Sequence, residues 1–305
     1  MTDTPRRRSI SLTTQLFTYA ALAIVFPTVL LGGIAFFALS YRLDIVDASF
    51  VQTRTALTEN AARADLTTQA SGVARQVDAF LIERIVEVRG WASAQVVIES
   101  ARAAHDRHVA DGLTEISAEA VERRFQIDKS LNISPEANAF LHRQVTSSPY
   151  FAEIFYTDRN GFNVALTNPT SDFIQSDEDW WQRAWSRGIS LGEVEYDDSA
   201  GVWSIEISVR IDDPESNSPV GVMKSVLAIE AIQRIADWAV ERTPGGRVQI
   251  ATENGLLIAE TSSSHARERI MNPSVNIADE GNESLTAAFG AERLGFVIDD
   301  DWITA

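Results

Sequence analysis

The chain has 305 residues, of which 45% are hydrophobic, 26 are basic and 43 are acidic, and it contains no cysteine. The hydrophobic fraction is sufficient for a folded core, and the lack of cysteine excludes disulfide frameworks, thiolate catalysis and cysteine-based metal centres. A formal net charge of −17 argues against nucleic acid as a partner, because nucleic-acid-binding surfaces expose basic side chains that neutralise phosphates.

The first feature along the chain is an uncharged apolar stretch at residues 16–41, LFTYAALAIVFPTVLLGGIAFFALSY. As a helix this stretch would extend about 39 Å, which is long enough to cross a bilayer. A cleaved signal peptide has a shorter apolar region that ends in a small-residue cleavage site, and no convincing site follows Phe37. We therefore predict an uncleaved transmembrane helix, with a buried core helix as the alternative.

The charges that flank this stretch predict its orientation. Arginines occupy positions 6–8, whereas Arg42 is followed by acidic residues at 44 and 47. The positive-inside rule then makes residues 1–15 cytoplasmic and places the bulk of the chain outside an inner or plasma membrane that it crosses once. Most of the acidic residues belong to that outer part, where we interpret them as a solvated surface rather than as a trap for cationic ligands.

Residues 43–89 contain no proline and predict a long stalk helix. Its apolar residues recur at steps of three and four, which marks one helix face that packs against a domain. The members of this stripe are Val73, Val77, Phe80 or Leu81, Ile85 and Val88. A further helix begins at Ser134, an N-cap residue followed by Pro135 and an acid in the first turn, and continues to about Val145.

The hydrophobic period then changes to two. Residues 151–157 and 162–167 flank Asp158-Arg159-Asn160-Gly161, whose Asn-Gly pair is typical of a β-hairpin turn. Residues 202–211 alternate apolar and polar side chains, and together with residues 192–196 and 220–228 they predict an antiparallel meander. A short helix at 177–185 separates the hairpin from the meander.

A helix at about 230–242 ends at Pro244-Gly245-Gly246, where we place a domain boundary. Beyond it, residues 247–251 and 256–261 flank a second Asn-Gly turn, and residues 294–298 and 302–304 predict two last strands. The chain stops inside the last of these strands. We expect a smaller second lobe at 244–305 that is incomplete, and an output module that lies outside this chain.

This order of elements resembles the double Cache domain, a PAS-like extracytoplasmic sensor of bacterial transmembrane receptors. The segments FYTDRNGFNVALT, DEDWWQRAW, GEVEYDDSAGVWSIEISVRI and GVMKSVLAIEAIQRI are similar to its membrane-distal lobe, and VQIATENGLLIAE is similar to the start of its membrane-proximal lobe. The resemblance covers about 45–305. It implies an α+β fold with a transmembrane helix, a stalk helix and two antiparallel-sheet lobes, at 43–243 and 244–305.

The resemblance also implies a ligand site in the distal lobe, between the sheet and the segments that cover it. Trp180 and Trp181 would line the pocket, and Tyr196 and Asp198 match positions that contact ligands in this family. Phe173 corresponds to an aromatic position of the covering segment. Because neighbouring helix residues point about 100° apart, we expect only one of the two tryptophans in the pocket.

Two positions differ from the amino-acid-sensing version of the family. That version has an arginine for the ligand carboxylate where this chain has Glu178, and an aspartate for the ammonium group at a position that corresponds to about Val226. Acidic side chains beside indoles favour a cation, so we predict an amine or another cationic ligand. Lys224 could reverse this preference by supplying a positive charge, but we expect its side chain to reach the surface.

No catalytic motif is recognisable, and we expect neither enzymatic activity nor a cofactor. His105 and His108 lack an evident third ligand for a metal, and residues 299–301 fit a solvated turn as well as a weak calcium site. We therefore predict the sensing region of a kinase-, chemoreceptor- or cyclase-type receptor, which the resemblance implies is a homodimer. The alternatives are an anchored scaffold or adhesion domain and an anchored hydrolase.

Overall fold

A computed structural model describes residues 12–128, 134–242, 247–252, 255–262, 297–299 and 302–304. Among these, the side chains of residues 12–30, 39–41, 43–49, 262, 297–299 and 302–304 lie outside the description. The chain divides into two compact units, residues 1–66 and 67–305. From residue 12 onward the first unit is helical, and the second unit contains the sheets.

Helix α1, Leu12–Ala92, confirms the predicted stalk helix and extends it by three residues beyond Arg89. Of its predicted apolar stripe, Phe80, Leu81, Ile85 and Val88 pack in the core of the second unit and Val77 packs in a second apolar cluster. Trp91 and Ala92, beyond the predicted stripe, are also buried in that core. The stretch at 16–41 is helical, although the structure describes the side chains of only its residues 31–38. Of the predicted cytoplasmic segment, residues 1–11 lie outside the described residues.

Within the part of the chain that the structure describes, no helix has a stretch long and apolar enough to cross a membrane.

The second unit alternates helices with an antiparallel sheet. Its helices are α2 (Gln95–Ala110), α3 (Ala118–Ile127), α4 (Pro135–Ser147), α5 (Asp179–Arg187) and α6 (Glu230–Glu241). Its strands are β1 (Phe151–Asp158), β2 (Asn163–Leu166), β3 (Ile189–Asp197), β4 (Val202–Asp213), β5 (Ser218–Ala228), β6 (Arg247–Ala251), β7 (Leu257–Ser262), β8 (Val297–Asp299) and β9 (Trp302–Thr304). A single 3₁₀ turn, Leu113–Glu115, follows α2.

The main sheet has five strands in the order β2-β1-β5-β4-β3, with every neighbouring pair antiparallel. This confirms the predicted hairpin and meander, and it shows that they join through pairing of β1 with β5. Local signals account for the flanking helices. The Ser134 hydroxyl accepts a hydrogen bond from the backbone N–H of Ala137 at 3.4 Å, and Gly188 ends α5 in the left-handed conformation.

One face of the sheet carries the main hydrophobic core. Ile154 and Tyr156 of β1, Ile207 of β4 and Met223 and Leu227 of β5 pack there with apolar residues of α1, α2 and α4. The opposite face lies beneath α5, where the side chains are mixed in polarity. Because successive strand residues point to opposite faces, the two environments alternate along β1, β4 and β5.

The hairpin β6–β7 does not join the five-stranded sheet. Ile258 and Ala259 of β7 share a second apolar cluster with Ile229 and Ile232 of the α6 region and with Val77 of α1. The predicted boundary at 244 falls among residues 243–246, outside the described residues, as do residues 294–296 of a predicted strand. Strands β8 and β9 pair with each other in the region where the sequence predicts two last strands. The division of the chain into two lobes stays a prediction.

The turn between β1 and β2 requires glycine at position 161 for two reasons. Gly161 has a φ of +83°, and an added Cβ would collide with the backbone of Ser176. Gly188 has a similar φ of +86°, but open space surrounds its Cα. A side chain at either position would therefore destabilise the fold because the backbone is left-handed, whereas the collision with Ser176 would add to the destabilisation at Gly161 only.

We predict that Gly161→Ala lowers the free energy of unfolding by more than Gly188→Ala does. The left-handed conformation alone costs about 1 kcal/mol in each variant, and the collision adds at least as much again at Gly161. Urea denaturation of the two variants and the wild type measures the difference. Equal losses of stability would contradict the close approach of the turn to Ser176.

Candidate ligand-binding site

The face of the sheet beneath α5 brings together charged side chains from three strands. Glu153 of β1 and Glu206 of β4 each lie opposite Val226 of β5, one on either side of it. In the next row, Lys224 lies between Phe155 and Ser208. Cross-strand partners point to the same face of a sheet, so these two rows form one surface. We call Glu153, Glu206, Ser208, Lys224 and Trp180 the α5-face cluster.

Lys224 supplies the positive charge of this cluster. Its Nζ forms an ion pair with Glu206 and lies 5.1 Å from the centroid of the Trp180 ring and 5.9 Å from that of Phe155. The side chain is only 12% exposed. The expectation that it reaches the surface is therefore wrong, because an acidic partner and two aromatic faces hold its ammonium group within the cluster.

The two tryptophans of α5 have different contacts, as expected for adjacent helix residues. Trp180 packs edge-on against Phe155 with ring centroids 5.8 Å apart, and it is the indole nearest Lys224. Trp181 donates from Nε1 to the Thr157 hydroxyl at 2.8 Å and stacks on Trp185 at 4.9 Å. Both indoles are buried. Trp180 thus borders the α5-face cluster, whereas Trp181 connects α5 to the sheet through its hydrogen bond to Thr157.

Glu153 is fully buried, yet its hydrogen bonding is incomplete. The Ser199 hydroxyl shares its single proton between Asp197 Oδ1 at 2.6 Å and Glu153 Oε2 at 3.2 Å, while Oε1 has no hydrogen-bond partner among the described residues. The hydroxyl oxygen of Ser208 is likewise buried and unpartnered among them. Buried polar atoms in folded proteins are usually satisfied by protein groups or ordered water, so these two oxygens mark positions on this sheet face where a further polar group would be favourable.

The surroundings of Glu153 also change its acidity. Burial raises the pKa of its carboxyl to about 7, and repulsion from Asp197 adds to the effect. The hydrogen bond from Ser199 and the positive charge of Lys224 oppose this rise. Near neutral pH the carboxyl is therefore poised between its neutral and its charged form. Glu153 was not among the predicted site residues.

The loop between β3 and β4 covers one end of the cluster. Asp197 Oδ1 accepts hydrogen bonds from the Ser199 hydroxyl at 2.6 Å and from the backbone N–H of Ala200 at 2.8 Å. This arrangement holds Ser199 over Glu153. The predicted site residue Asp198 is exposed and lies between Asp197 and Ser199, directly beside the residues that contact the cluster.

The predicted residue Glu178 immediately precedes α5 as its N-cap residue. Its side chain is more exposed than that of Glu153, and partial burial followed by repulsion from Asp177 raises the pKa of its carboxyl. Lys224 lowers this pKa and Glu206 raises it, so Glu178 lies within electrostatic reach of both. The structure thus brings Glu178 and Trp180 to the same surface.

The other two predicted contacts lie elsewhere. Tyr196 is paired in register with Trp203, and the same strands pair Val194 with Ile205, so Tyr196 faces away from the α5-face cluster. Its side chain is half exposed. Phe173 is fully buried against Phe162 and Phe125 in a separate apolar cluster. Ligand contact by these two residues stays a prediction that the geometry of the cluster does not support.

The histidine pair on α2 serves the packing of this helix on β1. His108 Nδ1 lies 3.0 Å from Oδ2 of the buried Asp158, and His105 Nδ1 lies 3.0 Å from the side-chain amide of Asn160. Asp158 Oδ1 also accepts from the backbone N–H of Phe162 at 3.0 Å. Across the described ranges, no group of three or more His, Cys, Asp or Glu side chains could hold a metal ion. Residues 300 and 301 of the weak calcium hypothesis lie outside those ranges.

Comparison with known proteins identifies the fold. No protein-family model matches the chain, and no curated protein matches it. Among solved structures, the sensory domain of the Campylobacter jejuni chemoreceptor Tlp3 is similar with a TM-score of 0.51 and 13% identity, covering 80% of this chain and 87% of that domain. The same domain with isoleucine bound gives a TM-score of 0.50 and 13% identity, covering 80% of this chain and 86% of that one.

A complex of the Tlp3 ligand-binding domain with L-valine is similar to the same degree, with a TM-score of 0.50 and 13% identity over 80% of this chain and 86% of that chain. At this level of identity the likeness concerns the fold. The chain has the α+β fold of these chemoreceptor sensory domains.

We predict that Glu153→Gln makes the protein more stable than the wild type at about pH 8, by on the order of 1 to 3 kcal/mol. The carboxyl of Glu153 has a pKa of about 7 in the folded chain against an ordinary value of 4.5. Its stabilising contribution is therefore complete below about pH 4.5 and is lost as the pH rises through 7. A neutral amide escapes that loss, so the advantage of the variant should disappear towards about pH 4.5.

Urea denaturation across this pH range measures the effect. Glu136→Gln is the matched control, because Glu136 is an exposed carboxylate on α4 and the chemical change is the same. Identical pH profiles for wild type and Glu153→Gln would contradict the raised pKa of Glu153.

Proposed function

We propose that the chain is the extracytoplasmic small-molecule sensing region of a membrane-anchored signal-transduction receptor, with the α5-face cluster as its ligand site. The observation that carries this proposal is the pair of buried oxygens, Glu153 Oε1 and Ser208 Oγ, that lack partners among the described residues. Leaving such groups unsatisfied costs free energy, and a bound polar ligand would remove that cost. The fold shared with chemoreceptor sensory domains supports the same function.

The charges around the cluster favour a cationic ligand. Glu153, Glu178 and Glu206 all interact with one ammonium group, that of Lys224, and a further carboxylate, Asp197, repels the charge of Glu153. Lys224 is already paired with Glu206, so a ligand carboxylate would have to compete with an existing ion pair. An ammonium group would instead meet an unpartnered carboxyl oxygen and the face of Trp180.

We therefore favour an amine or another cationic compound as the ligand. The Tlp3 domain was solved with isoleucine and with L-valine, which supports a ligand of about this size. At the position where the resemblance implies the carboxylate-binding arginine of the amino-acid-sensing family, this chain has Glu178. An ordinary α-amino acid would therefore leave its carboxylate without a guanidinium partner in the cluster.

The proposal includes the membrane anchor at residues 16–41 with a cytoplasmic N-terminus. The uncharged sequence of this stretch and the arginines that precede it support this topology. We also propose a homodimer. The exposed side chains of Ile82 and Val86, which are 60% and 62% exposed one helical turn apart on α1, support pairing of two copies along this helix. The output would be of the kinase, chemoreceptor or cyclase type.

Thermal unfolding of the full chain in detergent tests the sensing function. The screen contains primary amines (isobutylamine and putrescine), amino acids (L-isoleucine and L-valine), succinate, isobutanol and divalent cations. We expect the amines to raise the melting temperature by several degrees at saturating concentration, because a ligand that binds only the folded state stabilises it. Stabilisation by no compound of any class would contradict the proposed function.

Variants locate the binding site in the same assay. We expect Trp180→Phe to reduce the shift caused by amines, because phenylalanine offers a cation a weaker aromatic face than tryptophan does. Asp198→Ala should reduce it as well, because the substitution removes a negative charge from the loop that covers the cluster. Trp238→Phe is the matched control, since Trp238 lies on α6, outside the cluster, and is 40% exposed. Equal losses in Trp180→Phe and Trp238→Phe would contradict the assignment of the site.

A further inference from the structure

Glu153 differs from every other acid of the site in how its oxygens are used. Glu206 is paired with Lys224, and Asp197 accepts hydrogen bonds from Ser199 and Ala200. Glu178 is exposed to solvent. Glu153 is fully buried, and among the described residues its Oε1 has no hydrogen-bond donor. Within the cluster, this oxygen is therefore the acceptor that a ligand donor group would satisfy.

We propose that Glu153 accepts the ammonium group of the ligand and that binding displaces the carboxyl proton of Glu153 into solvent. The inference rests on the proposed function and names the specificity-determining residue of that site. In the step, the O–H bond of the neutral carboxyl breaks and water or buffer takes the proton. The resulting carboxylate then accepts an N–H hydrogen bond from the ammonium group, which keeps its own charge.

Groups from several elements set the proton affinity of Glu153. Asp197 at the end of β3 disfavours its charge, whereas Lys224 of β5 and the Ser199 hydroxyl favour it. The side-chain amide of Asn168, which follows β2 and donates to the Ala152 carbonyl at 3.4 Å, also weakly favours the charged form. Glu206 of β4 lies across Val226, where Lys224 neutralises it. With a pKa of about 7, Glu153 is about half protonated in the free chain at neutral pH.

The ammonium group of the ligand supplies the hydrogen-bond donor that Glu153 Oε1 lacks among the described residues, and its positive charge favours the charged form of the Glu153 carboxyl. An opposite charge within a few ångströms lowers the pKa of a buried carboxyl, and the same free energy appears as ligand affinity. Protons therefore compete with the ligand for Glu153. The affinity for an amine should rise as the pH increases through 7 and level off above it, so that the sensor responds to external pH and to amine together.

The test is isothermal titration calorimetry of the full chain in detergent with isobutylamine and putrescine as probes. Titrations at about pH 7 in two buffers of different ionisation enthalpy count the protons released. We expect about half a proton per bound amine, and an affinity that rises at least about tenfold between about pH 5.5 and pH 8. Isobutanol, which has nearly the same shape as isobutylamine but no charge, should release none.

Three variants separate the role of Glu153 from a structural role. Glu153→Gln keeps the size of the side chain and should lose amine affinity at least about tenfold, together with the pH dependence of binding. Glu153→Asp keeps the carboxyl group and should retain proton release, although with weaker binding. The control Glu136→Gln should bind amines as the wild type does.

Undiminished amine binding by Glu153→Gln, or amine binding without proton release in the wild type, would overturn the inference. Stabilisation by succinate, amino acids or isobutanol without binding of either amine would also overturn it, while leaving the proposed sensing function intact. Failure of every class of compound to bind would instead remove the sensing function on which the inference rests.

Discussion

A carboxyl group buried within the interior strand β1 is the feature on which the rest of the site depends. Burial of a carboxylate is costly unless partners compensate for it, and Glu153 has a partner for only one of its oxygens among the described residues. Other features of the cluster follow from this constraint. The positive charge of Lys224 and the hydrogen bond from Ser199 of the β3–β4 loop partly offset the free-energy cost of burying this carboxylate. Burial nevertheless raises the pKa of the Glu153 carboxyl, which favours its neutral form. A cationic ligand would complete the set of partners.

The alternation of the sheet connects this site to the long helix. Lys224 and Val226 of β5 face the cluster, whereas Met223 and Leu227 of the same strand pack in the core that also contains residues of α1. Phe80 and Leu81 of α1 contact both that core and the second apolar cluster around Ile229. A ligand shifts a conformational equilibrium only through its different affinities for the two states. Strand β5 and helix α1 thus contribute side chains to one shared apolar core.

The sequence predicts the elements whose signals are local. Ser134 caps a helix, Gly161 closes a hairpin and Gly188 ends α5, and each signal depends on residues within a few positions. The significance of Glu153 was missed because its neighbours Glu206 and Lys224 come from strands far along the chain, and only the register brings them together. A glutamate among the apolar residues of β1 was nevertheless a signal. A bulge between Leu191 and Val194 interrupts the regular alternation of side chains along β3. The sequence pattern alone therefore does not predict which face of the sheet Tyr196 occupies.

A crystal structure of the chain grown with the most strongly stabilising amine would test the central claim most directly. The account predicts that the ammonium nitrogen lies within about 3 Å of Glu153 Oε1, on the face of the sheet beneath α5 and close to Trp180. An amine bound on the opposite face, near Tyr196, or one held by exposed acids while Glu153 keeps an unpartnered oxygen, would contradict it.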